Sequence, residues 1–321
     1  ILVGLVGSEM CIRDRYQGVV GVDQSYHKTT HKMMRTLMLS LVFCSIQLLA
    51  SGFVRAGRIP YHHRITSELK GGSDATIGAA APSTPPLQFF TMPGNTCPYA
   101  QRTMIALKEL QLPFDITEVS GMPKPDWFLS INPRGKVPTL RVPTTADYAI
   151  IYESAICNEF LCDYATSIEQ EHTLMPTDPF IRARIRLLND HCDNVFAKTQ
   201  FTYLMNKEDD KDDELCTDME SALNTYEEAL VGSKGPYLLG GDFTLADVHV
   251  FPFIQRLVIT LKHYKDYELQ KDKFPKLLAW IDICLARESV KESSMTEEKT
   301  ISVYDRFVNG DYKFGGLNKN K

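Results

Sequence analysis

The order of strand-like and helix-like segments in residues 87–166 constrains the fold of this chain more than any other feature. LQFFT reads as a short apolar strand, a helical pattern follows it, and FDITEV indicates a second strand. KVPTLRV and YAIIY are β-rich runs separated by the turn-forming residues PTTAD, and they pair naturally as a hairpin before a last helix. This order predicts a small α/β domain over residues 87–166.

The pattern over residues 178–311 is helical and follows the proline-rich linker TLMPTDPF. Asp178 is a good N-cap and Pro179 suits the first helical position. Further along, Thr244 and Asp247 have the spacing of a capping box, so we assign both to helix capping rather than to catalysis. We therefore expect an all-helical second domain.

A cysteine stands where the first helix of the α/β domain begins. In NTCPYAQRTMIALKEL the turn-forming residues end at Thr96, and Pro98 suits the first helical position. Unpaired N–H groups and the positive end of the helix dipole favour the thiolate, which is the form that attacks disulfides and electrophiles. The sequence therefore predicts that Cys97 is a nucleophile with a lowered pKa; the alternative is a buried structural cysteine.

Charge and cysteine content argue against several classes of function. Of the 35 basic and 40 acidic residues, nine basic and five acidic ones lie in residues 1–86, which leaves 26 basic and 35 acidic residues and a net charge of −9. Such a body is a poor surface for nucleic-acid phosphates. Six cysteines in more than 200 residues do not indicate a disulfide framework, and no paired His or Cys spacing completes a zinc site, so we expect no metal.

Residues 33–52 read as a signal peptide. A basic residue precedes an apolar run of 14 residues over 37–50, and small residues stand just before Phe53. The run is shorter than the ~20 residues that a membrane-spanning helix needs, and no later stretch qualifies. We therefore expect no stable membrane span.

The rest of residues 1–86 reads as leader rather than as folded domain. Residues 53–86 are rich in small residues and mostly basic, like a transit peptide and its linker, whereas residues 1–32 look like a cloning or assembly scar. The junction ASGF resembles the two-part presequences of algae with secondary plastids. The expected location is an organelle, most of all a plastid, with secretion or the cytoplasm as alternatives.

Five motifs in this order resemble the glutathione S-transferase superfamily, and its omega class most closely: CPYAQR, KPDWF, NPRGKVPTL, YESAI and GGDFTLADVHVFPFIQRL. The resemblance covers roughly residues 88–287. It implies a thioredoxin-like N-terminal domain followed by an all-helical C-terminal domain. It also implies glutathione as co-substrate and, commonly, a homodimer.

The resemblance also assigns site residues. Cys97 is the catalytic residue, and Pro138 is the superfamily's cis proline, which turns the backbone of Val137 toward the cysteinyl part of glutathione. Exposed N–H groups at a helix start and a hydroxyl suit a carboxylate, while a Glu side chain suits an ammonium. The glutathione-binding residues are accordingly Tyr99, Lys124, Val137, Pro138, Glu153 and Ser154. A weaker assignment places Tyr203 and Phe253 at the site of the second substrate.

Position 100 bears on the reaction type. Ala100 stands where a dithiol oxidoreductase carries its second cysteine, so Cys97 cannot close an intramolecular Cys-x-x-Cys disulfide. The resemblance then implies a thiol transferase that forms a Cys97–glutathione mixed disulfide and reduces dehydroascorbate or removes glutathione from substrates. Two alternatives are a conjugating glutathione transferase and a non-enzymatic binding protein like the chloride-intracellular-channel proteins.

Overall fold

The computed structural model describes residues 86–121 and 123–310 of the 321-residue chain. The signal peptide, the transit-like linker and the scar that the sequence predicts lie outside these residues. Within them the structure confirms the two-part architecture, an α/β layer followed by helices. No helix of the described part is long and apolar enough to cross a membrane.

A four-stranded mixed sheet forms the first layer. Its strands are β1 (Leu87–Thr91), β2 (Phe114–Glu118), β3 (Thr139–Pro143) and β4 (Tyr148–Tyr152), in the spatial order β2-β1-β3-β4. β1 and β2 run parallel across helix α1 (Pro98–Glu109), whereas β3 pairs antiparallel with both β1 and β4. The last two strands therefore form the hairpin that the sequence predicts.

Alternation along β1 places neighbouring side chains on opposite faces of the sheet. Phe89 belongs to the main core beneath α1 and helix α3 (Ser154–Ser167). Phe90 packs instead with Phe128 of the short helix α2 (Asp126–Ile131), with ring centroids 5.6 Å apart. One strand thus supplies the apolar contacts that hold a helix on each face.

The second part is all helical. After a linker come α4 (Pro179–His191), a π-helical turn (Cys192–Phe196), α5 (Ala197–Met205), α6 (Asp212–Gly232), α7 (Leu245–Lys265), α8 (Pro275–Leu285), α9 (Glu288–Ser293) and α10 (Glu297–Val308). Helix α7 is buried along most of its length and packs against α1, so the two parts share one continuous core. The structure therefore places the N-terminal end of α1 against the helices of the second part.

The capping box at the start of α7 is confirmed. Thr244 accepts from the N–H of Ala246 at 3.3 Å, and the Asp247 carboxylate accepts from the Thr244 N–H at 2.9 Å. Asp247 also accepts from the N–H of Leu238 and from the indole of Trp280. The carboxylate thus joins the start of α7 to the turn before it and to α8. This agrees with the assignment of Asp247 to helix capping rather than to catalysis.

Candidate active site

Cys97 lies at the junction between a tight loop and helix α1. Pro93–Asn95 form a 3-10 turn in which Gly94 and Asn95 have φ angles of 62° and 57°. Cys97 is extended, and its carbonyl accepts from the N–H of Gln101 at 3.0 Å, which opens the helical hydrogen-bond pattern. The predicted position of Cys97 at a helix start is therefore confirmed.

Burial raises the pKa of the Cys97 thiol above its usual value, so the prediction of a lowered pKa is wrong. The N–H groups of Ala100 and Tyr99 do act on the sulfur as the helix start predicts, and the charges of Arg256 and Arg102 also lower the pKa. These effects are smaller than the loss of water around the sulfur. The sequence predicted the start of helix α1 correctly, but it did not predict which side chains pack around Cys97 and exclude water from it.

The loop before β3 supplies a backbone partner for Cys97. The peptide bond between Val137 and Pro138 is cis, as predicted, and the thiol donates to the carbonyl of Val137 at 3.8 Å. Lys124 lies close enough for its charge to interact with Cys97, and its Nζ donates to the carbonyl of Val119 at 2.8 Å. Partial burial lowers the pKa of Lys124. Predicted glutathione contacts on two separate segments thus lie near the sulfur.

Two further residues that are predicted to bind glutathione, Glu153 and Ser154, lie at the start of helix α3. Glu153 occupies the N-cap position with φ at 69° and makes no side-chain capping bond. Its Oε1 pairs with Nη1 of Arg134 at 2.8 Å. Ser154 is buried, and its hydroxyl oxygen accepts from Nη1 of Arg102 at 3.1 Å. The Glu153 carboxylate is therefore a partly exposed charge paired with Arg134, whereas the Ser154 hydroxyl is buried and hydrogen-bonded to Arg102.

A fully buried guanidinium, that of Arg102, connects this site to the helical part. Its Nε donates to the carbonyl of His249 at 2.8 Å, and its Nη2 donates to Oδ1 of Asp193 at 2.7 Å. Its Cζ lies over two neighbouring aromatic rings, 5.0 Å from the centroid of Tyr99 and 4.6 Å from that of Phe253. Such a cation is stabilised by its carboxylate partner and by both rings.

Asp193 and His249 complete the charge balance around Arg102. Oδ2 of Asp193 lies 3.1 Å from Nε2 of His249. Partial burial opposes ionisation of Asp193, but the bond to His249 and the charge of Arg102 outweigh it and lower its pKa to about 2. Burial and the charge of Arg102 lower the pKa of His249 to about 4. At neutral pH the cluster is one cation, one anion and a neutral imidazole.

The same cluster has the composition of a metal site. Ligand atoms of Cys192, Asp193 and His249 lie within 4.8 Å of one another. However, Arg102 donates to both Cys192 and Asp193, so a positive charge already fills the space between them. A metal ion would have to replace the guanidinium, and we assign the cluster to Arg102.

The two residues assigned to the second substrate separate in the structure. The ring of Phe253 packs edge-on against that of Tyr99, with centroids 5.1 Å apart, directly beside the start of α1. Tyr203 lies instead against Tyr267, at 6.2 Å, and beneath the Nζ of Lys265. The structure therefore brings Phe253, but not Tyr203, to the predicted glutathione contacts.

Sequence reasoning missed Arg256 and Tyr304, which approach Cys97 from α7 and α10. Arg256 is 2% exposed; its Nη2 donates to the carbonyl of Asn95 at 3.1 Å, and its Nη1 donates to Gln101. Its Nε is buried without a hydrogen-bond partner. The buried Tyr304 is close enough to Arg256 and Cys97 for both to affect its pKa, which burial raises. The only sequence signal was an arginine within the apolar face of α7.

Comparison with known proteins adds an independent line of evidence. Family models described as the N-terminal and C-terminal domains of glutathione S-transferase match residues 96–163 and 213–282. The chain is 27% identical over 248 residues to glutathione S-transferase omega-1 of Rattus norvegicus, covering 74% of this chain and 93% of that protein. It is 25% identical over 215 residues to a probable cytosolic glutathione S-transferase DHAR1 of Oryza sativa subsp. japonica, covering 66% and 91%.

A solved structure agrees with these sequence matches. The crystal structure of glutathione transferase Omega 3C from Trametes versicolor superposes with a TM-score of 0.61 at 30% identity. The match covers 71% of this chain and 93% of the fungal protein. Similarity thus extends through both parts of the described structure.

Proposed function

This chain belongs to the glutathione S-transferase superfamily, in its omega-like group, and we propose that it is a glutathione-dependent thiol transferase acting through Cys97. The observation that carries the proposal is the position of Cys97: at a helix start, beside the backbone of Val137, with alanine at position 100. A lone cysteine in this place favours a mixed disulfide with glutathione over an internal disulfide.

In the proposed cycle the chain binds glutathione along the segments that converge at Cys97. The backbone of Val137 pairs with the cysteinyl part of glutathione. In this complex the Val137 carbonyl accepts a hydrogen bond from the N–H of glutathione in place of the one from the Cys97 thiol. Glu153 and Ser154 receive the γ-glutamyl end, and Lys124 the other carboxylate. Tyr99 and Phe253 form the apolar wall beside them. Arg256 contributes positive charge where the thiolate forms.

The covalent steps balance with glutathione alone as reductant. The Cys97 thiolate attacks the glutathionyl sulfur of a mixed-disulfide substrate, which forms a Cys97–glutathione disulfide and releases the substrate thiolate to take up a proton. A glutathione thiolate then attacks the glutathionyl sulfur, which releases oxidised glutathione and restores Cys97. With dehydroascorbate, two glutathione molecules supply the two electrons and two protons that yield ascorbate and oxidised glutathione. The similarity to a DHAR protein supports dehydroascorbate as a substrate in this proposal.

The test is turnover of hydroxyethyl disulfide and of dehydroascorbate with glutathione. We expect Cys97→Ser to abolish both while retaining glutathione binding, because a hydroxyl cannot form the mixed disulfide. Cys216→Ser, which removes another partly exposed free thiol, is the matched control. Because burial raises the pKa of Cys97, turnover should still be rising at about pH 8.5, the usual cysteine pKa. Failure of the native protein to turn over either substrate would reject thiol transfer in favour of a binding protein.

Two further parts of the proposal concern location and assembly. We propose import into an organelle, most of all a plastid, and a fluorescent reporter fused to residues 33–86 tests this; a diffuse cytosolic signal contradicts it. We also propose a homodimer, which is supported by exposed apolar side chains on successive elements: Tyr148, Ile156, Phe180 and Leu187. Sedimentation at the mass of a single chain would contradict it.

A further inference from the structure

Two arginines are buried where α1 meets the helical part, and they differ in their partners. Arg102 is paired with the carboxylate of Asp193, whose Oδ1 lies 2.7 Å from its Nη2. Arg256 of α7 is 2% exposed, and no carboxylate in the described part of the chain pairs with it. A buried cation without an anion is costly. The absence of an acid beside Arg256 therefore needs an explanation.

Neutral acceptors around the start of α1 hold Arg256 instead. Its Nη2 donates to the carbonyl of Asn95 at 3.1 Å, and its Nη1 donates to the side-chain oxygen of Gln101 and to the carbonyl of Pro252 at 2.9 Å. Its Nε is buried without a hydrogen-bond partner. Asn95 and Gln101 stand two positions before and four positions after Cys97. The guanidinium thus spans the helix start that carries the thiol.

The side chain of Gln101 is fixed with its oxygen toward the arginine. Its Nε2 donates to Oε1 of Gln255 and to Oγ of Ser294, at 3.2 Å each, which leaves Oε1 to accept from Arg256. A glutamate at this position would supply the missing negative charge with the same side-chain length. The amide accepts the hydrogen bond but leaves the charge of Arg256 without a counter-ion.

The other ionisable groups around the sulfur do not neutralise this charge. Tyr99 and Tyr304 are phenols whose pKa is raised by burial, so both are neutral near pH 7. Lys124 and Arg102 are cations, and Arg102 already has a carboxylate partner. Among the described groups that act on Arg256, the Cys97 sulfur is therefore the one whose ionisation can supply an anion.

We propose that Arg256 is a positioning residue that is kept without an acid so that the Cys97 thiolate becomes its counter-ion. In the resting thiol the guanidinium is held by neutral acceptors, and the thiolate supplies the negative charge when the proton leaves. The pairing can therefore form only at the ionised cysteine.

The same pairing bears on the release of glutathione from the mixed disulfide. When a glutathione thiolate attacks the glutathionyl sulfur, a bond forms between the two glutathione sulfurs and the bond to Cys97 breaks. Its electron pair leaves on the Cys97 sulfur, beside Arg256, and a thiol of lower pKa leaves faster. This second role rests on the proposed function, whereas the pairing of Arg256 with the thiolate does not.

The test is alkylation of Cys97 by iodoacetamide across a range of pH, followed by mass mapping of its peptide in the full-length protein without glutathione. Arg256→Gln removes the charge, Gln101→Glu supplies the missing acid while retaining the arginine, and Arg256→Lys retains the charge. Arg287→Gln is the control, because Arg287 anchors the other end of α1 through Glu109, at 2.8 Å. Circular dichroism checks that each variant is folded.

We expect Arg256→Gln and Gln101→Glu each to raise the midpoint of alkylation by about one pH unit, a shift typical of one nearby opposite charge. Below the midpoint, alkylation should slow about threefold, because about tenfold less thiolate is partly offset by its greater nucleophilicity. Arg256→Lys and Arg287→Gln should keep the native midpoint. In a single turnover, Arg256→Gln should also release glutathione from the Cys97 mixed disulfide more slowly than the native protein does.

Three results would overturn the inference. An unchanged or lower midpoint in either Arg256→Gln or Gln101→Glu would show that the thiolate is not the counter-ion, and Gln101→Glu decides alone if Arg256→Gln does not fold. A midpoint raised as far by Arg256→Lys as by Arg256→Gln would assign the effect to packing rather than to charge. An equal shift in Arg287→Gln would assign it to loosening of α1.

Failure of the proposed function gives a different result. Lack of turnover by a native protein whose midpoint depends on Arg256 as expected would reject thiol transfer and leave the pairing intact. Normal turnover together with an unchanged midpoint in the variants would reject the pairing alone.

Discussion

Acid should destabilise this protein through one imidazole. His249 lies within α7, is 1% exposed, and faces the Arg102 guanidinium and the Asp193 carboxylate. Burial and the positive charge of Arg102 lower its pKa to about 4, more than the hydrogen bond to Asp193 raises it. In the unfolded chain the imidazole titrates near ~6.5. Between these values the unfolded chain holds a proton that the folded protein excludes.

The sign and size of the effect follow from this difference. Because the folded pKa of His249 is depressed, the stability that it contributes is present above about pH 6.5 and is lost as the pH falls toward 4. A difference of about 2.5 pKa units corresponds to a loss of about 3 kcal/mol between pH 7.5 and pH 4. This is a large fraction of the ~5–15 kcal/mol that stabilises a typical domain.

Urea unfolding of the native protein and of His249→Gln at pH 4.5, 5.5, 6.5 and 7.5 measures the effect. Glutamine can still donate to Asp193 but does not titrate, so the variant should lose less stability on acidification, and the two curves should converge toward low pH. His263→Gln, which removes an exposed imidazole from the same helix, is the control. Divergence of the curves, with the native protein gaining on the variant as the pH falls, would mean that His249 is protonated as an ion pair with Asp193 and would refute the reasoning.

Two further predictions concern stability. Asp247→Asn should lower the free energy of unfolding, measured in urea, by about 2–5 kcal/mol. The Asp247 carboxylate accepts four hydrogen bonds, and the NH2 group of asparagine would face donors such as the Trp280 indole. A loss below ~1 kcal/mol would contradict this. Gly235→Ala should lower the free energy of unfolding by about 1–3 kcal/mol in the same assay, because its Cβ would lie 2.3 Å from the carbonyl oxygen of Gly240. Gly232→Ala is the control, because a Cβ there meets nothing within 4 Å. Equal effects of the two substitutions would show that a steric clash is not the cause.

Local patterns predicted most of the fold because strands, helix starts and caps depend on near neighbours. The hairpin, the helix start at Cys97 and the Thr244–Asp247 capping box were all visible in short stretches, and the structure confirms them. The cis bond before Pro138 came from the family resemblance. Each of these features is specified within a few residues of chain.

What the sequence did not predict depends on contacts between distant segments. The sequence assigned both Tyr203 and Phe253 to the site of the second substrate, but only Phe253 reaches Tyr99. The pKa of Cys97 depends on how tightly other helices pack around it, so the helix start alone gave the wrong direction. Arg134 had no pattern to mark it, because its partner Glu153 is 19 positions away along the chain.

The contact between the buried Arg102 and the partly exposed Asp193 also bears on how the chain divides into pieces. A chain cut in the linker between α3 and α4 would leave the guanidinium on one fragment and the carboxylate on the other. Gln101 of the first fragment bonds to Gln255 and Arg256 of the second, so the separated faces would be polar as well as apolar. Such fragments carry complementary charges at their cut surface, and their reassembly into a working enzyme would depend on salt concentration. We therefore expect the two halves to reassemble as a matched pair rather than to act as interchangeable modules.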